Sequence, residues 1–94
     1  NGADVISVAA GVVVYADTRN GYGKMVEINH GGGSSTRYGH HKDLKVKSGD
    51  IVRKGEVIGL MGSSGRSTGP HVHFEVFKNG RVVDPSSYIH RASR

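Results

Sequence analysis

An all-β domain is what this sequence predicts, and three observations carry it. Fifteen glycines fall at turn-like intervals through 94 residues, against two prolines. Each glycine inside a helix would cost about 1 kcal/mol relative to alanine, which disfavours long helices. Apolar and β-branched residues alternate with polar ones over short runs, the period of a strand with one buried face. Clusters of Gly, Ser, Asn and Asp then separate those runs.

The elements follow in order. Val5 to Tyr15 is apolar and β-branched around Ala9-Ala10-Gly11, and is expected to form two buried strands about a bend. From Met25 to His30 the pattern alternates, with Val26, Ile28 and His30 on one face and Met25, Glu27 and Asn29 on the other. Gly31 to Ser35 is a loop by composition. Thr36 to His40 alternates again, so Thr36, Tyr38 and His40 share a side. Leu44 to Glu56 reads as two turn-punctuated segments, and Val57 to Met61 as a buried strand. Gly62 to Pro70 is a loop of small residues. His71 to Phe77 is a strand with Val72, Phe74 and Val76 facing one way. Asn79-Gly80 marks a hairpin, because both central residues of a type I′ turn need positive φ. Arg81 to Val83 returns from it. Asp84 as N-cap and Pro85 at the first helical position predict one short terminal helical turn.

Composition excludes several classes. The chain has no cysteine, so neither a disulfide framework nor a Cys-type zinc site is available. No apolar run approaches the roughly 20 residues of a membrane span. The net charge of +5 favours acidic surroundings. Yet the basic residues are scattered among turns with six aromatics, a solvated surface and not a nucleic-acid interface.

Six histidines are the strongest clue to chemistry. His71 and His73, two apart on one strand, project from the same face, opposite Val72, Phe74 and Val76. Paired imidazoles backed by a packed face suit metal ligation or acid–base work, and equally suit a half-exposed strand with a polar face. His40 lies at a strand end. His41 is read as surface, His30 as a packed or turn-capping residue, and His90 as solvated. The loop from Gly62 to Pro70 lacks the Lys-Ser/Thr ending of a phosphate-binding loop and leads into a strand, which excludes nucleotide binding there. It leaves room for backbone to approach a substrate beside His71. No spacing supports a Ser-His-Asp triad.

Gly-Pro-His71-Val-His73-Phe-Glu75-Val, preceded by Gly62-Ser-Ser-Gly-Arg-Ser-Thr-Gly, resembles the C-terminal motif of the lysostaphin/LytM-type zinc metallopeptidases of family M23. Gly21-Tyr-Gly-Lys-Met-Val-Glu-Ile-Asn-His-Gly, Thr36-Arg-Tyr-Gly-His40, the stretch from Val46 to Gly59, and Val83-Asp84-Pro85 resemble further family segments in the same order. The resemblance implies a single domain over 1–94, in which antiparallel sheets form a groove as a barrel-sandwich hybrid. It implies hydrolysis of peptide cross-links or stem peptides in bacterial peptidoglycan, hence a periplasmic or extracellular location. By the same resemblance His73 is a Zn2+ ligand, His40 and His71 are catalytic, and Tyr38 and Gly69 contact substrate. Zinc polarises a scissile carbonyl and acidifies its bound water, while the imidazoles handle the proton or the oxyanion.

One departure matters. The family's other two zinc ligands come from an upstream His-x-x-x-Asp motif that has no counterpart here. Asp4 lies in the segment that follows that motif in the family, so it does not supply the carboxylate. A catalytic zinc site needs three protein ligands and an open position, so the domain is expected to be N-terminally incomplete, its site finished by an upstream domain or a second chain. The alternative is a degenerate, non-catalytic form that binds cell wall or activates another wall hydrolase. The Val46 to Gly55 pattern also occurs in lipoyl and biotinyl carriers, but the Met-Lys-Met of those domains is missing.

Overall fold

The computed structural model describes residues 3–62 and 73–83. Eight strands follow one another: β1 (Asp4–Ile6), β2 (Gly11–Arg19), β3 (Gly23–Gly31), β4 (Ser34–Leu44), β5 (Ile51–Val52), β6 (Val57–Met61), β7 (His73–Lys78) and β8 (Arg81–Val83). All pairings are antiparallel. The main path through the sheet runs β1-β6-β4-β3-β2-β5, with β7 on β4 and β8 on β7. The all-β class expected from the alternation is the fold observed, and the sheet is curled. The helical turn expected at Asp84-Pro85 lies outside the described residues.

The sheet curls because β4 has more partners than a flat ladder allows. One edge of β3 runs along β4 from Gly31↔Ser34 to Lys24↔His41. On the other edge, Ser34 to Gly39 pairs with β7, and His41 to Leu44 pairs with β6. The strand therefore forks at His40, the residue between the two partners. His40 has φ 62°, a left-handed conformation uncommon outside glycine. Register shifts fall on both sides of it, between His41 and Asp43 against β6 and between Lys24 and Val26 against β3. Such bulges bend and twist a strand, and here they carry β6 and β1 over the inner face of β2, β3 and β4.

The enclosed core is Val5, Val13, Val26, Ile28, Tyr38, Val52 and Ile58, with Ala16, Leu44, Val46, Met61 and Phe74 packed against it. Burial of each Val or Ile side chain contributes about 1.5–3 kcal/mol. Alternation places Val26 and Ile28 inward as expected. Val12 and Val14 turn outward and are exposed, so β2 buries one face and not both.

One turn reading changes and another holds. The five-residue loop expected at Gly31 to Ser35 shrinks to a turn at Gly32-Gly33, and Ser34 and Ser35 belong to β4. The Asn79-Gly80 hairpin forms as expected, with φ 52° and 80° at its two central residues. These are the positive values a type I′ turn demands, and they seat the Asn79 amide on the Gly33 carbonyl at 2.7 Å. No helix among the described residues is long and apolar enough to cross a membrane.

Candidate functional site

His40 is the candidate catalytic residue that the structure describes most fully. Its backbone N–H donates to the Tyr22 carbonyl at 2.7 Å, and its carbonyl accepts from Gly62 N–H at 3.1 Å. The residue is thus off the regular ladder yet held on both sides. Its imidazole lies over Gly23, where an added Cβ would come within 4.0 Å of Nδ1.

The Gly39↔His73 pair brings β7 to within one residue of His40. The fold therefore brings together the strands that carry His40 and His73, distant in sequence, at the point where β4 forks. His71 and Gly69, the other expected catalytic and substrate-contacting positions, lie outside the described residues. Among the described residues no three His, Cys, Asp or Glu side chains gather to hold a metal. The described residues do not by themselves complete a zinc site.

Tyr38, expected to contact substrate, sits in the core at 2% exposure. Its ring packs on Phe74 with centroids 5.4 Å apart. Its hydroxyl accepts from Val8 N–H at 3.1 Å and lies 2.8 Å from the Thr36 hydroxyl. His30 continues this chain: Nδ1 donates to the Ala10 carbonyl at 2.7 Å, and Nε2 lies 2.7 Å from the Thr36 hydroxyl. A carbonyl only accepts, so Nδ1 carries a proton and donates to Ala10. The Thr36 hydroxyl lies between Nε2 and the Tyr38 hydroxyl, which also accepts from Val8, so each polar atom of the chain has a partner. The packed role expected for His30 is the one observed, and Tyr38 shares it.

His41 was expected at the surface and is buried at 6% exposure. The cause is the conformation of His40. Strict alternation counts one side change per residue, whereas the left-handed residue at the bulge consumes a position and turns His41 inward. Its Nδ1 donates to the Lys24 carbonyl at 3.0 Å, and Nε2 has no hydrogen-bond partner among the described residues. Burial holds the imidazole below its usual pKa range, with the Lys24 carbonyl opposing and His40 reinforcing that shift.

A polar cluster that sequence reasoning did not single out adjoins these residues. The Tyr22 hydroxyl donates to Glu75 at 2.6 Å and accepts from Arg37 Nη1 at 3.0 Å. Arg37 Nε donates to Glu27 at 3.1 Å, and the Arg37 guanidinium lies 4.1 Å from the Phe77 ring centroid. Alternation held the signal: Arg37 falls between inward-facing Thr36 and Tyr38, and Glu75 between inward-facing Phe74 and Val76. Register then sets Arg37 directly opposite Glu75.

This curled antiparallel sheet, with a histidine at the fork of its central strand and another on the adjoining one, has the architecture of a lysostaphin-type domain. The profile of Peptidase family M23 matches residues 1–85, and the chain belongs to that family. It is 45% identical over 86 residues, 92% of this chain and 20% of the relative, to DD-carboxypeptidase/endopeptidase Mpg of Neisseria meningitidis. It is 38% identical over 90 residues, 96% of this chain and 22% of the relative, to the murein hydrolase activator EnvC of Escherichia coli. Among solved structures, the antimicrobial peptidase lysostaphin from Staphylococcus simulans superposes with a TM-score of 0.87 at 34% identity, covering 97% of this chain and 39% of lysostaphin. The chain spans about a fifth of the length of these two curated relatives.

Proposed function

We propose that this domain hydrolyses peptide cross-links or stem peptides of bacterial peptidoglycan, as the catalytic part of a metalloendopeptidase. The observation that supports this reading is the juxtaposition at the fork: His40 stands one residue beyond the Gly39↔His73 pair in a chain that belongs to family M23. His40 and His71 are the proposed proton carriers at the scissile amide. His73 is the proposed ligand of this chain to zinc, with further ligands from an upstream domain or a second chain. Gly69 is proposed to let backbone approach the bound peptide. Tyr38 supports the site from within the core. The proposed location is the periplasm or the cell wall, where that substrate lies.

The test is incubation of the full-length protein with purified peptidoglycan, followed by chromatography and mass spectrometry of the released muropeptides. Loss of cross-linked species, abolished by a chelator and restored by zinc, is the expected result. Intact cross-links at every protein concentration would overturn the reading. The likeness to EnvC favours one alternative, activation of a separate wall hydrolase. In that case the protein alone releases nothing, and adding it to a separate cell-wall hydrolase accelerates that enzyme.

A further inference from the structure

Tyr22 touches both His40, at the fork, and strand β7. It follows Gly21, at φ 85°, and precedes Gly23, at φ 67°, in the turn between β2 and β3, and its N–H donates to the Arg19 carbonyl at 2.9 Å. Its carbonyl takes the His40 N–H at 2.7 Å. Its hydroxyl crosses to β7 and donates to Glu75 at 2.6 Å, two residues along that strand from His73.

We infer that Tyr22 is a positioning residue for the hydrolysis proposed above, bracketing the backbone of His40 with its carbonyl and the strand of His73 with its hydroxyl. The inference rests on that functional reading for its chemistry and on the hydrogen bonds alone for its geometry. A histidine with φ 62° tends to relax toward an extended conformation unless its surroundings hold it. The Tyr22 carbonyl supplies that hold only while the turn itself is fixed. The phenol fixes it, because both capacities of the hydroxyl are used: it donates to the Glu75 carboxylate and accepts from Arg37 at 3.0 Å. A hydroxyl–carboxylate bond this short is of the stronger, charge-assisted kind. Arg37 is held in turn by Glu27 and by the face of Phe77, and Arg19 lies 5.9 Å from the centroid of the Tyr22 ring. The cluster is thus a cross-brace between the β2–β3 turn, β4 and β7, and Tyr22 is its meeting point.

The experiment uses the full-length protein and two readouts. Tyr22→Phe keeps the ring and the carbonyl and removes only the hydroxyl. With peptidoglycan as substrate, kcat is expected to fall about tenfold with KM within about twofold, the signature of misplaced reacting groups and not of lost binding. Glu75→Gln, which keeps an accepting oxygen, is expected to remain closer to wild type than Glu75→Ala. Combining Tyr22→Phe with Glu75→Ala is expected to cost no more than the worse single change, because the two act through one bond. Unchanged kcat in Tyr22→Phe, or losses that multiply in the double variant, overturns the inference. The second readout needs no activity. Amide hydrogen exchange by NMR is expected to quicken at His40 by about fivefold or more in Tyr22→Phe, while that of core residue Ile28 is unchanged. An unaltered His40 amide overturns the bracket, whatever the turnover. A wild-type protein that hydrolyses nothing defeats the functional reading instead, and the exchange measurement still decides for or against the bracket.

Discussion

The imidazole of His41 lies so close to Gly59 that a β-carbon built on that glycine would stand 2.4 Å from His41 Cδ2 and 2.8 Å from the Asp43 carbonyl oxygen. One neighbour is a packed ring and the other is backbone, so neither can swing away as a flexible side chain would. Gly59→Ala is therefore expected to destabilise the domain by about 1–3 kcal/mol, the cost of overpacking a close-packed interior. Urea denaturation, read as a shift in midpoint at constant slope, checks this. An unshifted midpoint would show that β4 and β6 separate more readily than their register suggests.

The same histidine makes stability depend on pH. Burial lowers its pKa in the folded state from the ordinary 6.5, so the unfolded chain binds more protons than the folded one just below that value. Stability attributable to His41 is fully present above about 6.5 and is lost as pH falls from there toward the lowered folded value. Below the folded value no further loss comes from this group. Thermal melts at pH 7.5 and 5.5 should show the drop. In His41→Leu, which removes the titrating ring and its unpartnered nitrogen, the difference between those two melts should shrink. An equal difference in both proteins would assign the pH dependence elsewhere.

Tyr38→Phe is expected to cost about 1–3 kcal/mol, because it deprives the Val8 N–H and the Thr36 hydroxyl of a buried partner at once. The loss should appear in the denaturation midpoint. KM for peptidoglycan should be unchanged, since the phenol has almost no accessible surface. A raised KM at unchanged stability would instead support the substrate-contacting role that the family resemblance implies for Tyr38.

For His40 the expected outcome is catalytic and not structural. His40→Asn removes the imidazole while keeping a residue type that tolerates positive φ. Turnover on peptidoglycan should fall by about 10²–10⁴-fold, the usual loss with a general acid–base group. The melting temperature should move little. A comparable collapse in stability would mean that the imidazole is needed chiefly to hold the fork.

These residues also show what the sequence made legible. Val26 and Ile28 on β3, and Thr36 and Tyr38 on β4, announce their inward face because the members of each pair lie two positions apart, and Asn79-Gly80 announces its turn because few other pairs accept two positive φ values. The strands of His40 and His73 could be placed together by family resemblance but not by alternation, which says nothing about which strands pair. His41 could not be read correctly at all. Its burial depends on a bulge set by the three partners of β4, and no local pattern at Gly39-His40-His41 encodes partners that lie elsewhere in the chain. Tyr22 was obscured for a similar reason. Its flanking glycines mark a turn, while its use depends on Glu75 arriving from β7.

The outermost strands bear on how this domain behaves in concentrated solution. β5 has two residues and β8 has three, yet Ile51 and Val82 on them are 79% and 59% exposed. A longer ribbon with such side chains would invite a strand from a neighbouring molecule to extend the ladder. Here Asp50 and the Arg53-Lys54 pair flank the first, and Arg81 opens the second. Brevity and charge together leave an incoming chain few free amides to grip along these two rims, so the exposed Ile51 and Val82 stand where a neighbouring strand finds little ladder to extend.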